Sequence, residues 1–372
     1  MKPERSFDRL ISVHLIERRE DDLDDSSHFF WHWTYPTITL TDRCLIEKRL
    51  YSKAIHTDNF DFYRLNSSTW AYVVPTTCRK HLFLLLTSDF CPHTYRKLLT
   101  NFANFYNTTE KVTFQRFLHY YLSLLITECP VPVSELSGRL LSIDVDLADT
   151  PLARQSHIKS IIRLFHLDVI LIYTALLLKR KIAIYHHNQS TLLDFCLALP
   201  SFVSHRPEVD THQSLYPNVD LHVPEQLEHL TKLNHFIATF NDAAIGEQVD
   251  LYDIYINLAA VEINISNKAR EIFSMTKTHK EVAVALVRAA ENESTSSEDV
   301  IAEICKKTKE LKTTLTQICK NPFAENHTPE NDMFMISKDT LKQKLLSPNL
   351  ESFYWNFAVA EGMAKMEMLK MN

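Results

Sequence analysis

The 372-residue sequence predicts a bilobed chain, an α+β lobe followed by an α/β lobe with a helical extension. Three observations carry that prediction. Strand patterns precede a pair of helical patterns within residues 1–129, the order of a small α+β lobe. Residues 157–200 then read as helix, buried strand and capped helix, a unit of an α/β domain. Beyond about residue 266 the apolar spacing is helical. Length alone allows two or three domains of roughly 100–200 residues. A 45% hydrophobic content with 10% aromatics is enough to build real cores.

In the first lobe, residues 11–16 and 28–35 alternate as strands, and Phe29, Trp31, Trp33 and Tyr35 are expected on one face. Between them, the acidic stretch Glu20–Asp25 lacks the glycine turn of a calcium loop and reads as a solvated hairpin connection. Thr69–Val74 and Leu82–Leu86 are further strands. Tyr95–Tyr106 and Thr113–Thr127 are helices, the second with Phe114, Phe117, Leu118, Tyr121, Leu122 and Leu125 at helical spacing. Pro130, Pro132, Ser134, Ser137 and Gly138 mark a linker over 130–156.

The second lobe, 157–265, opens on Ile158, Ile161, Ile162, Phe165, Val169, Ile172, Tyr173 and Leu176. Their spacing is one buried face of a single helix or of two stacked helices. Lys179, Arg180 and Lys181 end it, where cations favour the negative pole of the helix dipole. Ile182–Tyr185 is a short apolar strand, His186–Gln189 a turn, and Ser190 the expected cap of a helix from Thr191 to Leu199 that Pro200 stops. Ile237–Phe240 and Leu251–Leu258 are strand candidates, and Val261, Ile263 and Ile265 alternate. In the extension, 266–372, helices are expected over Lys268–Ala290, Val300–Lys320 and Ser352–Met368. Glu291–Asp299 is a polar break, Asn321–Asp332 a loop, and the last helix packs Phe353, Phe357, Ala360 and Ala364 on one side.

Composition excludes several functions. The chain has three glycines, Gly138, Gly246 and Gly362, where ordinary usage of ~7% would give about 26. Dinucleotide folds and P-loops need glycines where backbone closes on phosphate, so no nucleotide cofactor is expected. A net charge of −6 argues against nucleic acid as a partner. The longest apolar run, Val169–Leu178, is about half a membrane span, and Met1–Arg5 lacks a signal-peptide stretch. A cytoplasmic protein is therefore expected. Cys44, Cys78, Cys91, Cys129, Cys196, Cys305 and Cys319 are dispersed, form no CxxC pair, and read as reduced thiols.

No metal site or covalent catalysis is expected either. His186 and His187 are adjacent on a turn, and His28 and His32 lie about 13 Å apart along a strand. Neither HExxH nor G-x-S-x-G occurs. Surface contact remains as a function. Lys179, Arg180 and Lys181 suit an acidic partner segment or an anionic membrane as well as a helix end. Asp250 and Asp253 stand at the entrance of an otherwise apolar segment, a pattern that suits an interface.

The segments Tyr173–His186 and Leu197–Pro200, followed in order by Tyr216, Asn234–Phe240 and Asp250–Leu258, resemble the central block of the DENN-domain family. Leu15–Glu17, Lys277–Glu281 and Ala358–Met363 extend the resemblance, with a divergent subfamily, over nearly the whole chain. It implies a longin-like lobe at 1–129 and a three-layer α/β DENN lobe with a helical region after it. It further implies a guanine-nucleotide exchange factor that binds the switch regions of a Rab GTPase, GDP-bound or nucleotide-free, on endosomal or late endosomal membranes. Such a protein is peripheral on the membrane and needs no active-site acid or base. The subfamily also implies an alternative, a non-catalytic subunit of the Commander (retriever-type) endosomal recycling assembly. Most of the family carries Glu at the position of Lys179, Ser at that of His186 and Gly at that of Thr239. The candidate partner-binding residues are Lys179, Arg180, Lys181, His186, Thr239, Asp250 and Asp253.

Overall fold

The structure is a computed structural model that describes residues 9–19, 29–52, 60–66, 68–77, 80–108, 114–126, 157–319, 336–345 and 347–364. The Glu20–Asp25 loop, His28, the 130–156 linker, Asn321–Asp332 and the last helix beyond Ala364 lie outside the described residues. The chain divides into two compact units, Met1–Thr150 and Pro151–Asn372. The molecule is mixed α and β, with one five-stranded sheet in each unit.

The first unit runs β1 (Leu10–Arg18), β2 (Phe29–Tyr35), α1 (Leu40–Ser52), β3 (Asp61–Arg64), β4 (Trp70–Pro75), β5 (His81–Thr87), α2 (Pro92–Thr108) and α3 (Phe114–Ile126). Its antiparallel sheet has the order β2-β1-β5-β4-β3. Ile46 and Leu50 of α1 cover one face, packing on Ile16, Val73, Leu82 and Leu84. On the aromatic side Phe83 meets Phe102 of α2 and Phe117 of α3, ring centroids 5.8 and 5.4 Å apart. Each such buried ring contributes about 1.5–3 kcal/mol.

Besides β3, which the sequence reading does not include, two features of this unit depart from it. Phe29, Trp31, Trp33 and Tyr35 do not share a face. Leu15 pairs with Trp33 but Ile16 with Trp31, so His32 is an extra residue in a β-bulge. The bulge reverses the alternation: Phe29 and Trp31 join the α1-side core, while Trp33 and Tyr35 meet Phe117 and Tyr121 of α3. The second feature is α1, which the apolar spacing does not announce. Local chemistry starts it: the Thr39 hydroxyl accepts from the Asp42 amide at 3.1 Å and donates to the Asp42 carboxylate at 2.7 Å.

The second unit begins with α4 (Ile158–Phe165) and α5 (Val169–Leu177), separated by a 3-10 turn at His166–Asp168. The apolar face seen in the sequence is thus two helices, and His166 at φ 47° turns the chain between them. Ile158–Leu177 is long and apolar enough to cross a membrane, but the turn divides it and most of it is buried within this unit.

Next come β6 (Lys181–Tyr185), α6 (Gln189–Ala198), a 3-10 turn Leu199–Val203, α7 (Glu208–Gln213), β7 (Leu215–Tyr216), α8 (Pro224–Lys232) and β8 (Phe236–Phe240). A 3-10 turn Ala243–Glu247 leads to β9 (Ile254–Asn257) and β10 (Glu262–Ile265). The sheet order is β10-β9-β6-β8-β7; all pairs are parallel except β9 with β10. β6 is therefore central, with Ile182, Ala183 and Ile184 fully buried.

The helical layer is α9 (Lys277–Glu291), α10 (Ser297–Cys319), α11 (Lys338–Lys344) and α12 (Pro348–Ala360). The helix expected from Lys268 starts nine residues later, because Thr276 and His279 form a capping box there. Phe353 and Phe357 of α12 are buried, Phe353 edge-on to His279 at 4.6 Å, so this helix docks into its own unit. Burial lowers the His279 pKa to about 4.

Candidate functional site

The seven candidate residues surround β6, but the structure divides them between its two ends. Lys179, Arg180, Lys181 and Asp253 lie at the N-terminal end, near Asp250. His186 lies at the C-terminal end, roughly 16 Å away at strand rise. Thr239 is inside β8, paired with Ile184.

At the N-terminal end the basic trio is mostly committed to the fold. The Lys179 amide donates to the Leu176 carbonyl at 3.2 Å and the Arg180 amide to that of Ala175 at 2.9 Å. Lys179 itself has φ 48°. This is a Schellman ending whose left-handed position, usually glycine, holds lysine at a cost of about 1 kcal/mol. The cation at the end of α5 comes from elsewhere: Arg206 donates to the Leu176 and Leu177 carbonyls at 3.0 and 2.7 Å. The expectation that the trio's side chains serve the helix dipole is corrected in that respect.

Arg180 reaches Asn356 on α12, and its burial lowers the guanidinium pKa against the opposing field of Asp253. The Lys181 ammonium donates to the Thr231 carbonyl at 3.0 Å and lies over the Phe236 ring. Asp253 accepts from the Lys181 amide at 3.1 Å, and its own amide donates to the Lys181 carbonyl at 2.9 Å. Asp253 is thus a clip that aligns β6 with β9. Asp250 differs, since only its backbone carbonyl is engaged, by Lys268 at 2.6 Å, and the residue is exposed.

Arg206 is held by Glu361, whose carboxylate accepts from Arg206 Nε at 3.0 Å, His205 at 3.2 Å and Lys312 at 3.1 Å. Burial opposes its ionisation, but the His205 and Arg206 hydrogen bonds, the Arg206 charge and the Lys312 contact hold its pKa well below the carboxylate range. Through Arg206 this carboxylate ties the C-terminal part of the chain to the end of α5, beside the Arg180–Asn356 bond.

Thr239 is a correction in kind. Its backbone lies in a regular strand and its residue is 2% exposed, so the side chain offers no contact surface. The hydroxyl accepts from the Asn218 amide at 2.9 Å and fixes Asn218 at φ 55°. The left-handed residue in this loop is Asn218, a type that tolerates it, and Thr239 supports it.

The C-terminal end is open and polar. His186 Nδ1 accepts from the Asn188 amide at 2.9 Å, and its ring stacks on exposed His187 at 4.2 Å. Asn241 donates to the His186 carbonyl at 3.2 Å. Asp242 caps the next 3-10 turn by accepting from the Ala244 amide at 2.9 Å. Asn188, two residues before the expected Ser190, caps α6 through its Oδ1. β6 is also where the chain order reverses, β8 on one side and β9 on the other, and open α/β sheets present ligands at the C-terminal ends of such strands. Asn188, Asn241 and Asp242 escaped the sequence reading; an Asn or Asp just after each apolar strand was the available signal.

The family described as Stabilization of polarity axis matches residues 155–267, which include all of β6 to β10. DENN domain-containing protein 10 of Homo sapiens is 31% identical over 371 residues, covering 96% of this chain and 97% of that protein. Its Mus musculus counterpart is 31% identical over 373 residues, with the same coverage. DENN domain-containing protein 10 of Dictyostelium discoideum is 25% identical over 383 residues, covering 95% and 97%.

Proposed function

This chain belongs to the DENN-domain family, and from that premise we propose that it is a guanine-nucleotide exchange factor for a Rab GTPase on endosomal or late endosomal membranes. Similarity to DENN domain-containing protein 10 along 96% of the chain carries the proposal. Exchange of this kind needs no acid, base or nucleophile. It needs a surface that binds the Rab switch regions more tightly once GDP has left, which shifts the population towards the empty state. In this reading residues 1–129 are a longin-like lobe, 130–156 a linker, 157–265 a three-layer α/β DENN lobe and 266–372 a helical region.

The accessible groups of the C-terminal edge of β6, namely His186, Asn241 and Asp242, form the contact surface we assign in that lobe. At the N-terminal edge Arg180, Lys181 and Asp253 are used internally, and we assign neither Asp250 nor Lys179 to the surface. A panel of GDP-loaded Rabs tests the function. Catalytic amounts of the protein should accelerate release of labelled GDP from one or a few of them. No acceleration on any Rab, with a stable co-purifying endosomal complex, would replace this reading with the non-catalytic subunit of the Commander assembly. Lys179 and His186, both departures from the family pattern, favour that second reading.

A further inference from the structure

We propose that Glu17, His32 and His81 form a binding site for a divalent transition-metal ion, with Zn2+ the ion that fits, at one end of the first sheet. The inference is independent of the Rab reading and rests on where three strands bring these side chains. Glu17 on β1 is the register partner of Phe30 on β2 and of His81 on β5. Directly paired residues in an antiparallel sheet project to the same face, so Glu17 and His81 stand side by side. His32, two residues after Phe30, projects with it and is the extra residue of the β2 bulge.

One ligand atom from each of the three lies within 4.8 Å of the others, and His32 Nε2 is 2.7 Å from Glu17 Oε2. Tetrahedral zinc ligands at ~2.0–2.1 Å from the ion are about 3.3 Å apart, a spacing between those two values. Small rotations of three side chains would therefore close the set around an ion. Two imidazoles and one carboxylate are a borderline donor set suited to zinc, with a fourth position left for water.

The surroundings favour a held site. The ligands sit on three adjacent paired strands, Phe30 packs edge-on to His32 at 4.7 Å, and His81 lies against Tyr106 at 5.3 Å. Glu17 and His32 side chains are each 29% exposed, reachable from solvent yet partly shielded from it. A hydrogen bond between Glu17 and His32 alone would engage two of the three residues. His81 joins them from another strand, its ring centroid 5.2 Å from that of His32. Along β2 the sequence offered only His28 as a companion for His32; the ligands come instead from neighbouring strands.

Zinc titration of the full chain against a chromophoric chelator tests the proposal, with Co2+ as a spectroscopic probe. The expected result is one equivalent bound, a cobalt spectrum of nitrogen and oxygen ligands without thiolate charge transfer, and a rise in melting temperature with zinc. His32→Gln and His81→Gln should each weaken that binding roughly tenfold or more and remove the rise. Should either histidine variant fail to fold, Glu17→Gln, which preserves size and a bond to His32, must show the same loss. The proposal is overturned if the chain binds no zinc equivalent, or if folded variants at these positions bind it as well as the parent chain.

Discussion

The two ends of β6 are built from equally polar residues but use them differently. At the N-terminal end, Arg180, Lys181 and Asp253 engage their hydrogen-bonding groups within the unit, with Asn356, Thr231 and one another. At the C-terminal end, His186, Asn188 and Asp242 hold local backbone, with only the exposed His222 facing Asp242 at 3.8 Å, and their outer atoms remain open to solvent. A charge-rich stretch is therefore no guide to a contact surface until its partners are known. The basic trio, the most conspicuous functional motif in the sequence, is mainly scaffold. The quieter asparagines and aspartate at the far end are the accessible chemistry.

The largest test of that contrast lies behind the N-terminal end. Glu361→Ala leaves Arg206 and His205 with no carboxylate in a site where the Arg206 side chain is 10% exposed. A loss of about 3–5 kcal/mol is expected in chemical denaturation. A loss near zero would mean that the carboxylate does not anchor the C-terminal helices.

Asp253 and Asp250 divide next. Asp253→Ala removes the acceptor of the Lys181 amide and should cost about 1–3 kcal/mol. Asp250→Ala should stay within roughly 0.5 kcal/mol. Equal effects in urea would erase the distinction between clip and surface residue. Charge reversal at Asp253 is accordingly a poor probe of binding, because misalignment of β6 with β9 would mimic a lost contact.

Acid gives a smaller, graded effect. His14 and His279 are buried neutral, with pKa values lowered by burial to about 3 and about 4 from 6.5. The unfolded chain takes up these protons first, so stability is full above pH 6.5 and falls through that value towards pH 4 and 3. Between neutrality and pH 5.5 each unit should lose about 1.4 kcal/mol from its histidine. His279→Gln should flatten the slope for the second unit in pH-dependent melts; an unchanged slope would contradict its buried, neutral state.

How legible all this was depends on range. The strands β1, β4, β5, β6 and β8 and the helices α2, α3 and α10 follow from apolar spacing, because their burial is decided within the element. Helix α1 does not, since its apolar residues spread around the helix and a Thr39–Asp42 cap starts it. The trio's commitment was hidden for a different reason. Asn356 and Glu361 lie far along the chain from Arg180 and Arg206, and no local pattern encodes such partners. Asn188 displaced Ser190 as a cap because its carbonyl reaches the amides of both Ser190 and Thr191. The β2 bulge, which re-aims Trp33 and Tyr35, appears only when β1 supplies the register.

The most direct measurement sets the two ends of β6 against each other in the exchange assay. One variant carries His186→Asp with Asp242→Asn, changes that keep an acceptor for the Asn188 and Ala244 amides. The other carries Lys179→Glu with Asp250→Lys at the opposite end. Both should melt like the parent chain. The C-terminal-edge variant should release GDP from the responsive Rab about tenfold more slowly, the loss of roughly 1.4 kcal/mol of differential binding, while the other retains the parent rate. Full activity in the first variant, or a loss confined to the second, would contradict the assignment.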